Sequence, residues 1–184
     1  MLPVIIVIVG IGAVIGLWVM GVQRTLVDLE ERYKNALSQI GVQLNSRWDA
    51  LTALVDLTKG YSEHEYRTLM DTVGSRTKIT ANSTAAEVNA QESALSSAFG
   101  RLLAVAEAYP DLKANETYIK TMASVEKYEE NVRMSRMVFN DMVTKLNAMI
   151  RKFPTSLIAG MIGFSTKEYL QEPEGKTEMP SMVR

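Results

Sequence analysis

The sequence lacks the residue types from which most catalytic and metal-binding sites are built. It has no cysteine and one histidine, which excludes disulfides and thiolate metal sites and the paired Glu-x-x-His motifs of a di-iron bundle. Glycine-rich phosphate-binding motifs and the Gly-x-Ser-x-Gly nucleophile motif are also absent. The 20 Lys and Arg residues nearly cancel the 21 Asp and Glu residues, so the net charge gives no reason to bind nucleic acid. We therefore predict a non-enzymatic protein with no cofactor, no metal site and no nucleic-acid partner.

Charge is missing from the start of the chain, where residues 2–22 form an apolar run with no ionisable side chain before Arg24. About 20 apolar residues can cross a bilayer core as a helix. The run lacks the basic start and the small-residue cleavage site of a signal peptide, so we predict a retained single-pass anchor over residues 1–23 and the lipid bilayer as a partner. Cations follow the run, at Arg24, Arg32 and Lys34. The positive-inside rule then predicts an outside N-terminus and a cytoplasmic body.

The predicted anchor contains several glycines. Gly12 and Gly16 form a G-x-x-x-G pair, and Gly10 shares much of their surface. Small residues one turn apart allow two helix backbones to approach closely in lipid, which favours self-association into a homo-oligomer. The alternative is that these glycines have no such role, because glycine is common in membrane helices.

Only five prolines interrupt the 184 residues, and the apolar residues after the anchor recur with helical spacing. In the last long segment they recur every seven residues, at Val125, Val132, Phe139, Leu146 and Phe153. Such a seam indicates packing against a partner helix at a shallow angle. We predict an all-α fold in which the transmembrane helix continues as one rod into an antiparallel bundle over residues 24–165. The predicted helices are 24–59, 62–109, 115–152 and a short 156–163, followed by a flexible polar tail over 171–184.

The second predicted helix is interrupted near residues 74–84, where small polar residues replace the apolar pattern. If this is a kink, the bundle has three long helices; if it is a hairpin, the count is four. The segment lengths favour the kink, because each piece alone is too short to pair fully with the outer helices. The short apolar stretch that begins at Pro154 then either caps the distal end of the bundle or serves as an oligomer contact, and capping is the favoured interpretation.

The residues between the second and third long helices read as a corner. Pro110 cannot continue a helix, and Asn115 is a good N-cap for the next one. With a kinked second helix, this corner lies on the membrane side of the bundle. The predicted membrane-proximal corner comprises Tyr109, Pro110, Asp111, Leu112 and Asn115.

Several polar side chains replace apolar residues on the predicted interior stripes. They are Gln43 and Arg47 on the first helix and Glu129, Arg136, Asn140 and Asn147 on the last. One interpretation is a polar pocket or a proton-linked site. The favoured one is an interior polar layer that fixes helix register, with Glu129 contacting Arg47 or Arg136.

These positions lie in sequence blocks that resemble the LemA family of bacterial membrane proteins. The blocks are "ALSQIGVQLNSRWDAL" (36–51), "GYSEHE" (60–65), "AEAYPDLKAN" (106–115), "EENVRMSRMVFN" (129–140), "LNAMIRKFP" (146–154) and "GF" (163–164). The resemblance implies an antiparallel helical bundle on the bacterial inner membrane, and it implies no particular reaction. Three positions depart from the family pattern: Ser46 for a second Arg, Trp48 for His and Phe139 for Tyr.

Taken together, these patterns predict a self-associating, membrane-anchored scaffold that organises membrane or recruits partners. The alternative is a regulatory adaptor of a membrane enzyme, such as a protease, with an unidentified membrane protein as its partner. A hydrolase that uses the Glu129 carboxylate ranks last, because no nucleophile or metal motif accompanies it.

Overall fold

The computed structural model describes residues 2–171. Within that range the chain is helical and contains no strand, which confirms the predicted all-α class. The helices are α1 (Leu2–Thr58), α2 (Glu63–Gly74), α3 (Ala85–Ala108), α4 (Pro110–Lys113), α5 (Glu116–Arg151) and α6 (Thr155–Met161). The predicted flexible tail lies outside the described residues except for Gln171.

Helix α1 is continuous from the apolar run into the bundle, so the predicted single rod is confirmed. Its 57 residues extend over about 85 Å at 1.5 Å per residue. Residues 2–18 are exposed, and this end of α1 is long and apolar enough to cross a membrane. From Val22 onward α1 contributes buried residues to the bundle.

Helix α5 packs antiparallel against α1. The ring centroids of Tyr33 and Phe139 lie 5.1 Å apart, whereas Val22 and Leu26, which come earlier in α1, share a buried cluster with the later residue Leu146. We call the end of the bundle at this cluster basal, because it adjoins the apolar run, and the opposite end, at the turn after Thr58, distal.

The predicted seam of α5 is confirmed over most of its length. Val125, Val132, Phe139 and Leu146 are all buried. The seam is wrong at Phe153, which is exposed. The reason is that α5 ends at Arg151, so the last apolar residue of the pattern falls in the turn before Pro154.

The interruption in the second predicted helix is a true hairpin, and the favoured kink is wrong. Arg76, just after α2, donates hydrogen bonds to Asp49 at 2.7 Å and to Asn45 at 3.2 Å, partway down α1. The chain then crosses α1 where Ile79 approaches Gly41, and α3 returns toward the distal end. Neither α2 nor α3 pairs along the whole of α1, because other segments cover the basal half.

The corner at residues 109–115 therefore lies at the distal end, and its predicted membrane-proximal position is wrong. The Tyr109 ring lies 6.1 Å from the ring of Tyr61, in the turn that follows α1. The individual residues of the corner behave as predicted. Pro110 begins α4, and the Asn115 side chain accepts hydrogen bonds from the first backbone amides of α5. Leu112 is fully buried, so it fills the distal core; Asp111 stays exposed.

The basal half of the α1–α5 pair is covered by α6 and by the extended residues 164–171. Ala159 of α6 is buried together with Val22, Leu26 and Leu146. The expectation that this segment caps the distal end is therefore wrong. The antiparallel run of α5 delivers its C-terminus to the opposite end of the bundle.

The hairpin can be tested at Gly41. A Cβ atom at this position would lie 2.7 Å from the carbonyl oxygen of Ile79, so Gly41→Ala should destabilise the protein by roughly 1–3 kcal/mol. The matched control is Gly100→Ala in α3, where a Cβ atom meets nothing within 4 Å and should stabilise by about 0.5–1 kcal/mol. Urea unfolding of the detergent-solubilised chain, followed by far-ultraviolet circular dichroism, gives both values. Equal stabilisation by the two substitutions would contradict the crossing at Gly41.

Candidate functional site

A buried polar layer joins three helices in the distal half of the bundle. Arg136 of α5 donates from Nη1 to Oε2 of Glu92 in α3, and its second partner is Asn89 Oδ1 at 3.4 Å. The Arg136 and Glu92 side chains are 9% and 12% exposed. This is a desolvated ion pair, in contrast to the exposed i,i+4 pairs elsewhere on the bundle.

Arg47 of α1 is the second cation of this layer. It is 4% exposed, and its Cζ atom lies 5.7 Å from the centroid of the Phe99 ring. Burial lowers the pKa of Arg47, and the nearby Glu92 carboxylate partly offsets this by raising the pKa. Within residues 2–171 the Arg47 Nε atom has no hydrogen-bond partner, and the Phe99 ring offers the guanidinium a cation–π contact.

The other two predicted members lie on the same helices and are less buried. Gln43 lies one turn before Arg47, and Glu129 lies two turns before Arg136; both are half-buried. The structure buries Arg47 and Arg136, and it pairs Arg136 with Glu92 of α3. The expected contact of Glu129 with Arg47 or Arg136 stays a prediction. The sequence interpretation missed Glu92. The signal was present, because Glu92 interrupts the α3 stripe formed by Val88, Leu95, Phe99 and Leu102.

The layer has the chemistry of a register device. The buried pair of Glu92 and Arg136 forms only when α3 and α5 are correctly aligned, and fixing alignment is the best-attested use of buried polar groups. A catalytic site would also need a concave, solvent-connected surface. Here the buried Phe99 ring lies against Arg47, and no group of three or more His, Asp or Glu residues that could hold a metal occurs within residues 2–171.

Asn140 and Asn147 form a different site. Asn140 Nδ2 donates to the Leu170 carbonyl at 3.0 Å, and its Oδ1 accepts from the Leu170 amide at 2.9 Å. Asn147 pairs with Lys167 in the same way, at 2.9 and 2.8 Å. The prediction that Asn140 joins the interior layer is therefore wrong. An amide carries both a donor and an acceptor, so it can pair with a peptide group, which a guanidinium cannot.

The spacing of the two asparagines matches the segment that they hold. Seven helical residues rise about 10.5 Å, and three extended residues, the separation of Lys167 and Leu170, span about 10 Å. Two asparagines seven residues apart on a helix can therefore hydrogen-bond to two residues that lie three positions apart in an extended chain. We call residues 165–171 the strap.

A shallow groove of about 400 Å³ also opens between α1 and α5 toward the distal end. Small and polar side chains dominate its lining: Ser46, Asp49, Ala50, Thr117, Lys120, Thr121, Ser124 and Tyr128. The groove is open to solvent and lies outside the polar layer. It does not gather the predicted site residues.

Comparison with known proteins assigns the chain to a protein family. A sequence model of the LemA family matches residues 36–183, which includes the polar layer, the distal corner, α5 and α6. The chain belongs to the LemA family. This confirms the resemblance carried by the sequence blocks, and membership places the chain among membrane-associated helical proteins.

Curated relatives of this LemA-family chain carry the name magnetosome protein. Magnetosome proteins MamQ 1 and MamQ 2 of Paramagnetospirillum magneticum are each 37% identical to it over 81 residues. Magnetosome protein MamQ of Magnetospirillum gryphiswaldense is 36% identical over the same length. Each match covers 44% of this chain and 30% of the relative, so the chain spans about a third of the relatives' length.

The polar layer can be tested at Glu92. Glu92→Gln removes the negative charge that is paired with the buried Arg136 guanidinium and should lower the free energy of unfolding by about 3–5 kcal/mol. Glu130→Gln is the control, because its exposed pair with Arg133 should matter little. Combining Glu92→Gln with Arg136→Met should cost less than the two separate losses together. Strictly additive losses would contradict a direct buried pair.

The strap can be tested at Asn147. Asn147→Leu removes both hydrogen bonds to Lys167 and should cost roughly 1–3 kcal/mol, with faster amide hydrogen exchange concentrated at Lys167 and Leu170. Asn35→Leu, at an exposed position of α1, is the control. Unchanged exchange at both strap amides would mean that the asparagine does not hold the strap.

Proposed function

We propose that this chain is a membrane-anchored scaffold that self-associates through the N-terminal part of α1 and organises membrane or recruits partners without catalysis. Its membership of the LemA family and its membrane association are the ground for this proposal. The relatives' name, magnetosome protein, favours a role at a membrane by analogy. The scaffold role is our inference for this chain.

The observation that carries the proposal is the continuity of α1. The same helix supplies the exposed apolar segment and the core of the bundle, without a linker between them. A helix of this kind transmits rotation and position from the membrane to the bundle. Two copies that associate in the bilayer would hold their bundles in a defined relation, which is what a scaffold requires.

The glycine face of α1 supports self-association. A Cβ atom built at Gly10, Gly12 or Gly16 meets nothing within 4 Å, so this face is open along the apolar segment. Association of helices in lipid is driven by close backbone packing where small residues recur one turn apart. A second copy of α1 presents the same glycines and fits this face.

The use of the interior polar groups supports a non-enzymatic role. Arg136 is bonded to Glu92 and Asn89, and Asn140 and Asn147 are bonded to the strap backbone. These hydrogen bonds occupy the side chains that a buried active site would need free. The alternative role, a regulatory adaptor of a membrane enzyme such as a protease, uses the same features and differs in its partner.

We propose a bacterial inner-membrane location with the N-terminus outside and the bundle in the cytoplasm. The cations that follow the apolar run favour this orientation. The basal end of the bundle adds Arg151 and Lys152 to them, both exposed.

The test is self-association of the full chain in lipid vesicles, read by energy transfer between labelled copies as the protein is diluted with lipid. Gly12→Leu together with Gly16→Leu should weaken transfer, because two bulky side chains separate the backbones. Gly21→Leu is the matched control, since it lies about 180° around the helix from Gly12. A monomer in every variant, or equal transfer in all three proteins, would remove the scaffold proposal and leave the adaptor.

A further inference from the structure

The basal end of the bundle exposes large apolar side chains around α6. Phe153 is 82% exposed, Leu157 is 60% exposed and Met161 is 84% exposed. Leu157 and Met161 are one turn apart on the side of α6 that faces away from Ala159, which packs against Val22 and Leu26. We call Phe153, Leu157, Met161 and the adjacent Ile162 the basal patch.

The α1–α5 register gives the height of this patch. Tyr33 meets Phe139, and Leu146 and Ile150, later in α5, pack in the cluster of Leu26 and Val22. In an antiparallel pair, equal steps along the two helices keep the same height.

Extended to the end of α5, this register sets Arg151 at the level of Gly21. Phe153 follows two residues later, and Ala159 of α6 packs with Val22 and Leu26. The patch therefore lies at the end of the apolar run.

The apolar run fixes where the bilayer boundary falls. Residues 2–22 rise about 31 Å as a helix, which matches the roughly 30 Å hydrocarbon core. The level of Val22 is then the edge of the hydrocarbon, and Trp18 lies about one turn before it, near the interface that tryptophan favours. Apolar side chains held rigidly at that height beside the span meet the acyl chains and headgroups of the same bilayer.

We propose that the basal patch inserts into the interfacial layer of the membrane that α1 crosses, as a second contact beside the anchor. Short apolar faces buried about 5–10 Å deep at this boundary are a known mode of membrane binding. Arg24, Arg151 and Lys152 are exposed at the same end, whereas the nearest acid along α1 is Asp28, which is paired with Arg32. The charges therefore select anionic headgroups.

A second contact changes what the anchor can do. One helix crossing the bilayer leaves the tilt of the rod free within the limits of its packing. An apolar patch on one side of that helix removes part of this freedom, because any tilt away from the patch exposes it to water. The basal patch would therefore set the inclination of the bundle on the membrane.

The experiment exploits the absence of cysteine. Single variants Leu157→Cys and Met161→Cys, in the full chain in phosphatidylcholine–phosphatidylglycerol vesicles, carry an environment-sensitive fluorophore. Met137→Cys is the matched control: this α5 residue is 60% exposed and lies about 20 Å higher in the register. Brominated phospholipid should reduce the fluorescence at 157 and 161 at least about twofold and leave 137 unchanged, while aqueous iodide should quench only 137.

Two results would overturn the proposal. Iodide quenching at 157 and 161 equal to that at 137 would leave the patch in water. Protection from both quenchers would assign it to a second copy of the chain or another protein.

The role of the basic residues is tested separately. Lipid quenching should be stronger in anionic vesicles than in neutral ones, and the double substitution Arg151→Gln with Lys152→Gln should abolish this difference. Persistence of the difference would refute the role of these cations. Energy transfer in the glycine variants is read separately, so failure of the scaffold proposal is distinguishable.

Discussion

The antiparallel packing of α5 on α1 is the contact on which the remaining elements depend. The contacts between these two long helices include the cluster of Val22 and Leu146 and the ring pair of Tyr33 and Phe139, but they cover only one face of each helix. The hairpin of α2 and α3 shields the distal half, and α6 with the strap shields the basal half. This division explains why the covering segments are short: each buries apolar surface over half of a rod, and apolar area removed from water is what stabilises it.

Local sequence chemistry predicted most of the fold. Heptad spacing identified the α5 seam, and Asn115 caps the start of α5 as predicted. The topology of the hairpin could not be read in the same way. Its decisive feature is backbone contact between Ile79 and Gly41, and a glycine in a long helix looks the same whether a loop crosses it or solvent does. Once the kink was assumed, the height of the 109–115 corner was wrong as a consequence.

The buried site was predictable where polarity interrupts a clear stripe. Arg47 and Arg136 stand out for that reason, and both lie in the layer. Glu92 was harder to recognise, because α3 is rich in alanine and serine and its apolar stripe is faint. Asn140 was recognised as unusual but was given the wrong partner. The strap that it holds has no periodicity of its own, since an extended chain held through its backbone places few demands on side chains.

In our proposal, the polar layer and the basal patch orient the rod at two different heights. Arg47 lies 25 residues beyond Val22 on α1, or about 38 Å from the basal cluster, so the layer fixes which helices pair at a height where the membrane has no influence. The basal patch carries no charge of its own, but in our proposal it inserts at the membrane surface and fixes the inclination of the rod. A rigid α1 links the two. If glycine-mediated contacts bring copies of α1 together in the bilayer, their distal ends must then be presented at a common height and angle, which is the geometric condition for an ordered membrane scaffold.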